Sequence, residues 1–463
     1  MRNIIRQDKN SEIGLLSMLR MSGALAGPAI ISNVTVPLLG LSDTYITGHL
    51  GAAVYIAAIS VGTMMVNALY WLCGFLRMGT SGLTAESFGM RDDDRRRRIL
   101  TISLLLGLGI GGLLILLSPF LGDLMLHLMT PPAEAAKLGR EYFVVSIAGA
   151  PAILATMALS GWMVGSQNTL YPMIVAITIN IINIAVSFGL VFGLEAGFIG
   201  VAYGTLTANW IGFILSLIFA SKLLPGRMLS PLRGLTKGLE IGRFFKVNAN
   251  LFVRSACLMA VSFALTSYCG HLGETSLAVN ALLMQFFMFF SYFMDGFAFG
   301  GEALCGRYAG ERNRYNLVMA VKALGVWSGV VTVSFTIAYL LFTPEIVNML
   351  TDVESVRAAL CDIQWVTWIL PIVSVAAFMF DGVYVGLTDT FRMMLATMTG
   401  AVCFFGLHYL LGAIMHESNQ NPVAATSLIW ICFMSFLFMR GAVLSLSLRK
   451  VLDLNFIDNI KNK

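Results

Sequence analysis

The chain has 463 residues, of which 57% are hydrophobic and only 12% are charged, and its formal net charge is +5. A soluble protein has about 25% charged residues. This composition, with a mean hydropathy of +0.80, therefore excludes a water-soluble globular protein. The apolar stretches are long and continuous instead of alternating over about ten residues, which favours membrane-spanning helices over a β-barrel.

Twelve apolar stretches, separated by polar or turn-rich breaks, predict twelve transmembrane helices. In chain order they cover residues 21–47, 53–76, 99–121, 141–166, 171–193, 197–221, 247–269, 277–305, 318–342, 359–386, 393–415 and 423–447. We therefore predict an all-α integral membrane protein. Its expected parts are an amino-terminal segment (1–20), a six-helix lobe (21–221), a linker (222–246), a second six-helix lobe (247–448) and a tail (449–463).

The basic residues indicate the orientation of the predicted helices. Most of the 30 lysines and arginines lie in the amino-terminal segment, in the linker, after the second, eighth and tenth stretches, or in a closing group that includes Arg440. By the positive-inside rule, both termini are expected to be cytoplasmic. The charged run at residues 92–98 is then explained as a loop at the membrane surface, and we expect no nucleic-acid partner.

The two halves of the chain share short motifs. Residues 48–51 (Gly-His-Leu-Gly) recur as residues 270–273, and the glycine-bounded segment 161–165 recurs as 382–386, at offsets of 222 and 221. Because such an offset spans six helices, both halves would cross the membrane in the same sense and form a parallel repeat. Two similar bundles suit alternating access, in which one bundle moves against the other.

The sequence lacks the usual signatures of an enzyme or a cofactor site. It contains no Gly-x-x-x-x-Gly-Lys-Ser/Thr motif and no His-Glu-x-x-His motif, and its seven cysteines are scattered through apolar segments. We therefore expect no enzymatic activity, no cofactor and no metal site. The expected energy source is an ion gradient.

Charged residues within predicted spans are functional candidates, because each costs about 2.5–3.5 kcal/mol on insertion scales. They are Asp43, Arg77, Arg254, Asp295, Glu302 and Asp381. The three acids of the second half could form structural ion pairs with either arginine, or they could form a second ion or substrate site. The sequence leaves both alternatives open.

Asp43 is the leading candidate for ion coupling. It lies five residues before the loop that begins at Gly48, and the fifth span, which runs in the same direction, carries Asn180, Asn183 and Ser187. The last two are one helical turn apart on one face. A desolvated carboxyl group favours its protonated form and can take up a proton near neutral pH. This pattern predicts a proton-coupling site.

The alternative is a structural role for Asp43 at an irregular helix. Pro28 and Pro37 both lie in the first span, where proline is expected to interrupt the helix and free backbone groups for hydrogen bonding. A carboxyl group could then cap the broken helix instead of carrying protons.

Four segments together resemble the multidrug and toxic compound extrusion (MATE) family, and within it the DinF-like branch. They are residues 33–43 (Asn-Val-Thr-Val-Pro-Leu-Leu-Gly-Leu-Ser-Asp), 75–85, 295–303 and 381–386. The resemblance implies two six-helix lobes, export of amphipathic compounds by a rocker-switch motion, and exchange against protons or sodium. It further implies a coupling site at Asp43, Asn183 and Thr205, with Pro28 at a bend of the first helix.

The sequence departs from this family pattern at Ser187, where similar proteins have a second aspartate. Sodium-using relatives also carry a glutamate near the position of Arg254. Losing a carboxylate and gaining a positive charge both disfavour a sodium site, so protons are the expected coupling ion.

The resemblance implies a monomer in the bacterial inner membrane that exports small amphipathic organic compounds across the lipid bilayer. The alternative function is a flippase for a lipid-linked cell-envelope precursor, since distant relatives have that role. A flippase of this kind would be expected to line its cavity with several basic residues, whereas only Arg77 and Arg254 are expected to be buried.

Overall fold

The computed structural model describes residues 12–50, 52–224, 228–230, 240–412 and 421–457, and within these ranges the regular secondary structure is entirely helical. The first half contains α1 Leu15–Gly48, α2 Ala53–Leu72, α3 Phe75–Met90, α4 Asp93–Met129, α5 Ala133–Ile147, α6 Ala150–Gly165, α7 Leu170–Phe188 and α8 Ile199–Leu223. The second half contains α9 Glu240–His271, α10 Glu274–Gly310, α11 Arg314–Leu350, α12 Glu354–Asp362, α13 Trp365–Gly386, α14 Thr390–Leu410 and α15 Pro422–Ile457.

The described residues include 11 helices that are long and apolar enough to cross a membrane, or up to 12 if one bent pair counts as a span. The bent pair is α5 and α6, whose axes differ by 54°. Pro151 lies in the first turn of α6. A backbone N–H at this position would have no partner within the helix, so the lack of an N–H in proline costs nothing there. The twelve predicted stretches coincide with these helices and this pair, so the prediction of an all-α membrane protein is confirmed.

The prolines do not break the first span into two helices, and the bend predicted at Pro28 and Pro37 stays a prediction. Helix α1 is continuous from Leu15 to Gly48 and contains both Pro28 and Pro37. Proline is tolerated within membrane helices because nearby groups can satisfy the backbone carbonyl that it leaves without a donor. The structural alternative for Asp43, a cap on a broken helix, therefore loses its basis.

The internal repeat is visible in the backbone at the start of α4 and α11. The preceding residues Arg91 and Arg312, which are 221 positions apart, have φ angles of 60° and 57° in the left-handed region. Asp92 and Asn313 follow them and cap the next helix, accepting hydrogen bonds from backbone N–H groups at 2.8 and 3.0 Å. Both capped helices have 37 residues. The two halves therefore enter this helix by the same local geometry.

The repeated glycine motifs form the same close helix contact in each half. A Cβ on Gly161 of α6 would lie 2.9 Å from the carbonyl carbon of Arg77 on α3. A Cβ on Gly382 of α13 would lie 2.6 Å from the Cα of Ala298 on α10. Gly161 and Gly382 are 221 positions apart, and so are their contact residues Arg77 and Ala298. Only glycine allows the two backbones to approach this closely.

The contacts between helices divide the chain into two compact units. One unit comprises Ile31–Asn248, and the other comprises Met1–Ile30 with Ala249–Lys463. The boundaries fall inside α1 and α9. Much of the predicted linker (222–246), namely residues 225–227 and 231–239, lies outside the described residues, as do residues 1–11 and 458–463 of the predicted terminal segments.

Each unit has its own apolar core. In the unit Ile31–Asn248, Trp162 packs with Leu100 and Leu159, and its indole N–H donates to the carbonyl oxygen of Arg96 at 3.0 Å. In the other unit, a larger core includes the fully buried Trp430 and Phe404. These cores hold the helices that carry the polar side chains considered next.

Candidate functional site

Asp43 of α1 is buried within the unit Ile31–Asn248, with 8% of its surface exposed. Its Oδ1 atom is buried and has no hydrogen-bond partner among the described residues. A buried carboxylate oxygen without a donor is costly in a medium of low dielectric. Such an oxygen can be satisfied by binding a proton or another donor.

Helices α7 and α8 place a chain of polar side chains in the same unit. Asn183 donates from Nδ2 to Oγ1 of Thr205 at 2.9 Å. The Ser187 hydroxyl lies 3.5 Å from both Asn183 Oδ1 and the carbonyl oxygen of Val201, at the limit of a hydrogen bond. Asn183 is 1% exposed and Ser187 is fully buried. The structure therefore brings together Asn183, Ser187 and Thr205.

Ser187 occupies a tightly closed position. A Cβ on Gly204 of α8 would lie 2.8 Å from the backbone nitrogen of Ser187 and would overlap its hydroxyl oxygen. A π-helical turn at Gly189–Gly193 follows directly, in which Leu194 N–H donates to the Gly189 carbonyl oxygen at 3.1 Å. π-Helical turns are often found at functional sites. The position has little space for a longer side chain.

Tyr142 of α5 hydrogen-bonds to this polar chain, feels the charge of Asp43, and was not among the residues predicted from the sequence. It is 3% exposed, interacts electrostatically with Asp43, and forms side-chain hydrogen bonds with Thr205 and Thr63. Gly62 of α2 permits its position, because a Cβ there would lie 2.6 Å from the Tyr142 ring. Tyr142 therefore contacts the polar chain of α7 and α8 through Thr205 and interacts with Asp43 only through its charge.

Asn180, which was predicted to belong to the same site, makes a separate contact. Its Nδ2 donates to Oγ1 of Thr35 at 3.1 Å and to the Thr35 carbonyl oxygen at 3.3 Å. Thr35 precedes Asp43 by eight residues on α1, which corresponds to about 12 Å along the helix. Asn180 therefore joins α7 to α1 at a different level from Asp43.

The second unit contains a buried group of three charges, only two of which were predicted. Asp381 of α13 accepts hydrogen bonds at Oδ2 from Arg254 of α9 and from Arg440 of α15. The three residues are 7%, 6% and 3% exposed, respectively. Assigning Arg440 to the charged end of the chain was wrong, because this arginine is buried inside α15.

The remaining predicted charges differ in burial. Glu302 is 1% exposed, as expected. Arg77 and Asp295 are only half-buried, so their prediction as buried charges is corrected. Asp295 accepts a hydrogen bond from the Ser291 hydroxyl at 3.2 Å, one turn earlier on α10. Within the described ranges, no group of three or more His, Cys, Asp or Glu residues could hold a metal ion.

Comparison with known proteins places these features in a family. The sequence profile described as MatE matches residues 28–188 and 251–414, one segment in each half of the chain. The chain belongs to the MatE family. The predicted family resemblance is therefore confirmed, and the chain is a multi-pass membrane protein of a family of transporters, not enzymes.

Individual relatives support this assignment. The DNA damage-inducible protein F of Escherichia coli is 34% identical over 425 residues, which cover 91% of this chain and 90% of the relative. A probable multidrug resistance protein, NorM of Thermotoga maritima, is 24% identical over 348 residues, or 71% of each chain. Members of this family export small organic compounds.

Solved structures share the fold. A crystal structure of MATE in the bent conformation has a TM-score of 0.83 at 20% identity and covers 98% of this chain and 97% of its own. An outward-facing multidrug resistance MATE family transporter has a TM-score of 0.81 at 20% identity and covers 98% of each chain. At this level of identity, the likeness establishes the MATE fold of the chain.

Proposed function

We propose that this MatE-family protein is a secondary active exporter of small amphipathic organic compounds, driven by protons that bind at Asp43. The observation that carries the proposal is the buried Asp43 carboxyl group, whose Oδ1 has no hydrogen-bond partner among the described residues. Protonation would supply a donor and remove a buried charge. In exchange transport, one site must bind and release the coupling ion during every cycle.

The neighbouring polar chain supports this role for Asp43. Tyr142 interacts with Asp43 and with Thr205, and Thr205 accepts from Asn183. A change in the charge of Asp43 would therefore act on Tyr142 of α5, whose hydroxyl hydrogen-bonds Thr205 of α8. This provides a physical route from protonation to a rearrangement of the unit, because packed helices and hydrogen-bond networks carry coupling between sites.

Protons fit the site better than sodium. A hard cation prefers several oxygen ligands, with carboxylates foremost. Position 187 is a serine instead of a carboxylate, and the carboxylate of Asp381 in the other unit already accepts from two arginines. Neither unit therefore offers a pair of available carboxylates in these places.

The repeat supports alternating access as the transport mode. The two halves share the left-handed residues, the helix caps and the glycine contacts at one offset, as described above. Parallel repeats of this kind allow one bundle to rock against the other around a substrate site. We further propose that the two lobes divide near residues 221–247, that both termini are cytoplasmic, and that the protein acts as a monomer in the inner membrane. The alternative function, a flippase, finds no support among the relatives named above.

Asp43→Asn tests the proposal in reconstituted vesicles with an imposed pH gradient or, separately, an imposed sodium gradient. We expect the variant to lose pH-driven export of an organic cation such as ethidium, because the amide cannot bind and release a proton. The matched control is Asp123→Asn, since Asp123 forms an exposed ion pair with Arg140 at 2.9 Å. Undiminished pH-driven export by folded Asp43→Asn protein, or export driven by sodium alone, would refute proton coupling at this residue.

A further inference from the structure

The buried charges of the second unit form an unusual arrangement. Arg254 and Arg440 approach from two different helices, and both donate to the same carboxylate oxygen, Oδ2 of Asp381. Among the described residues, Oδ1 of Asp381 and Nε of Arg440 are buried without a hydrogen-bond partner. Arginine–carboxylate pairs are frequently bidentate, with both carboxylate oxygens accepting. Here, one acceptor and one donor remain unsatisfied in a buried place.

The fold does not require these charges. At an offset of 221, the position of Asp381 corresponds to Ser160 and that of Arg440 corresponds to Phe219. Arg254 corresponds to Asn33, which is also uncharged. The first half therefore builds the equivalent helices, with the same glycine contacts, without a charged group at these three positions. Because replacing a buried ion group by apolar side chains is often neutral or stabilising, stability alone is a weak reason to keep these charges in the second half.

The geometry suits a ligand with a negative charge. Two guanidinium groups that reach one oxygen atom lie close enough for a single oxyanion to bridge both. Arginine offers five N–H donors in a planar fork that matches carboxylate and phosphate groups. Asp295 of α10 also acts electrostatically on Arg440, but it is half-buried and accepts from Ser291. Asp381 is thus the carboxylate in direct contact with both arginines.

We propose that Arg254 and Arg440 bind the oxyanion group of an exported organic compound, and that Asp381 holds this position in competition with it. The expected ligands are amphiphiles that carry a carboxylate, sulfonate or phosphate group. The proposal rests on the export function given above, for which it names a substrate class. It uses a site in the second unit that is separate from Asp43.

Equilibrium binding of two fluorescent dyes to the full chain in lipid nanodiscs tests this proposal. Sulforhodamine B carries sulfonate groups, whereas rhodamine 6G is a cation with a similar ring system. Arg440→Gln and Arg254→Gln should each weaken sulforhodamine B binding about tenfold or more, as expected for loss of a hydrogen bond to a charged group. Rhodamine 6G binding should stay unchanged. The matched control is Arg392→Gln, which removes an arginine paired with Asp389 at the start of α14.

Asp381→Asn provides the decisive variant, because it should act in the opposite direction. Removing the competing carboxylate should strengthen sulforhodamine B binding, whereas a purely structural ion group would make this variant as damaging as the arginine variants. Should a single variant fail to fold, Arg440→Gln combined with Asp381→Asn removes one charge of each sign. This double variant should fold and still bind sulforhodamine B weakly.

Three results would overturn the proposal. They are equal loss of both dyes in the arginine variants, weaker sulforhodamine B binding by Asp381→Asn, and complete displacement of the dye by inorganic phosphate at matched ionic strength. The last result would assign the site to a free anion instead of an organic compound. Because these measurements use no gradient, their failure would leave proton-driven export through Asp43 to be judged by its own experiment.

Discussion

Placing an acid at position 187 should destabilise the folded protein instead of adding a cation ligand. Ser187 is fully buried, and its hydroxyl faces two acceptors, Asn183 Oδ1 and the Val201 carbonyl oxygen. The close approach of Gly204 leaves little room beside it. In Ser187→Asp, a larger carboxylate would meet two oxygens and no donor. The expected consequence is a large loss of stability.

The magnitude follows from two separate costs. Overfilling a packed site costs about 1–3 kcal/mol, and leaving a buried charge without its partner costs about 3–5 kcal/mol. Ser187→Asn is the matched control, because it adds similar volume while its amide can donate to either acceptor. It should therefore suffer only the first cost. Ser187→Ala, which loses one hydroxyl donor at long distance from its two possible acceptors, should cost about 0.5–1.5 kcal/mol.

Thermal unfolding of the purified protein in detergent, followed by tryptophan fluorescence, can rank these variants. We expect the midpoint to fall in the order wild type, Ser187→Ala, Ser187→Asn and Ser187→Asp. If Ser187→Asp is as stable as Ser187→Asn, the buried carboxylate has found a partner. That result, especially with a midpoint that rises on addition of sodium, would refute the view that position 187 cannot host an acid.

Two further predictions concern Tyr142 and the glycine contacts. Tyr142→Phe keeps the ring but removes the hydroxyl group that bonds Thr205 and Thr63. It should lower pH-driven export about threefold to tenfold, from loss of hydrogen bonds worth about 0.5–1.5 kcal/mol each, and unchanged export rates would exclude a role for that hydroxyl. Gly382→Ala should destabilise the protein by about 1–3 kcal/mol through backbone overlap. The matched variant Gly109→Ala, whose Cβ would meet nothing within 4 Å, should be neutral or slightly stabilising, and equal melting midpoints would contradict the proposed contact.

The sequence was sufficient to predict the membrane-spanning stretches and the internal repeat, although α4 and α11 extend beyond the predicted stretches 99–121 and 318–342. Long apolar segments have few alternatives to spanning a membrane, and glycine motifs at one offset mark equivalent helix contacts. Asn183 and Ser187 could be placed on one face, because residues four apart on a helix are neighbours. These predictions depend on local periodicity, which a single sequence contains.

Partners from distant helices could not be predicted in the same way. Tyr142 is one of 13 tyrosines, and its packing against Gly62 and its hydrogen bond to Thr205 come from other helices. Arg440 lies near the carboxy-terminal group of basic residues, so its charge was attributed to orientation instead of a buried ion group. The contacts of both residues depend on how helices far apart in sequence pack together.

The paired glycines have a consequence for how a duplicated protein can diversify. At Gly161 and Gly382, backbone lies against backbone, so the axial position of each helix pair is set by contacts that involve no side-chain chemistry. The side chains around these glycines do not set the position of the helices, so they can differ between the two halves. This explains how the first half can hold a buried carboxyl group at Asp43, while the second half holds two arginines around Asp381. The shared backbone contacts thus leave each half free to carry different buried charges.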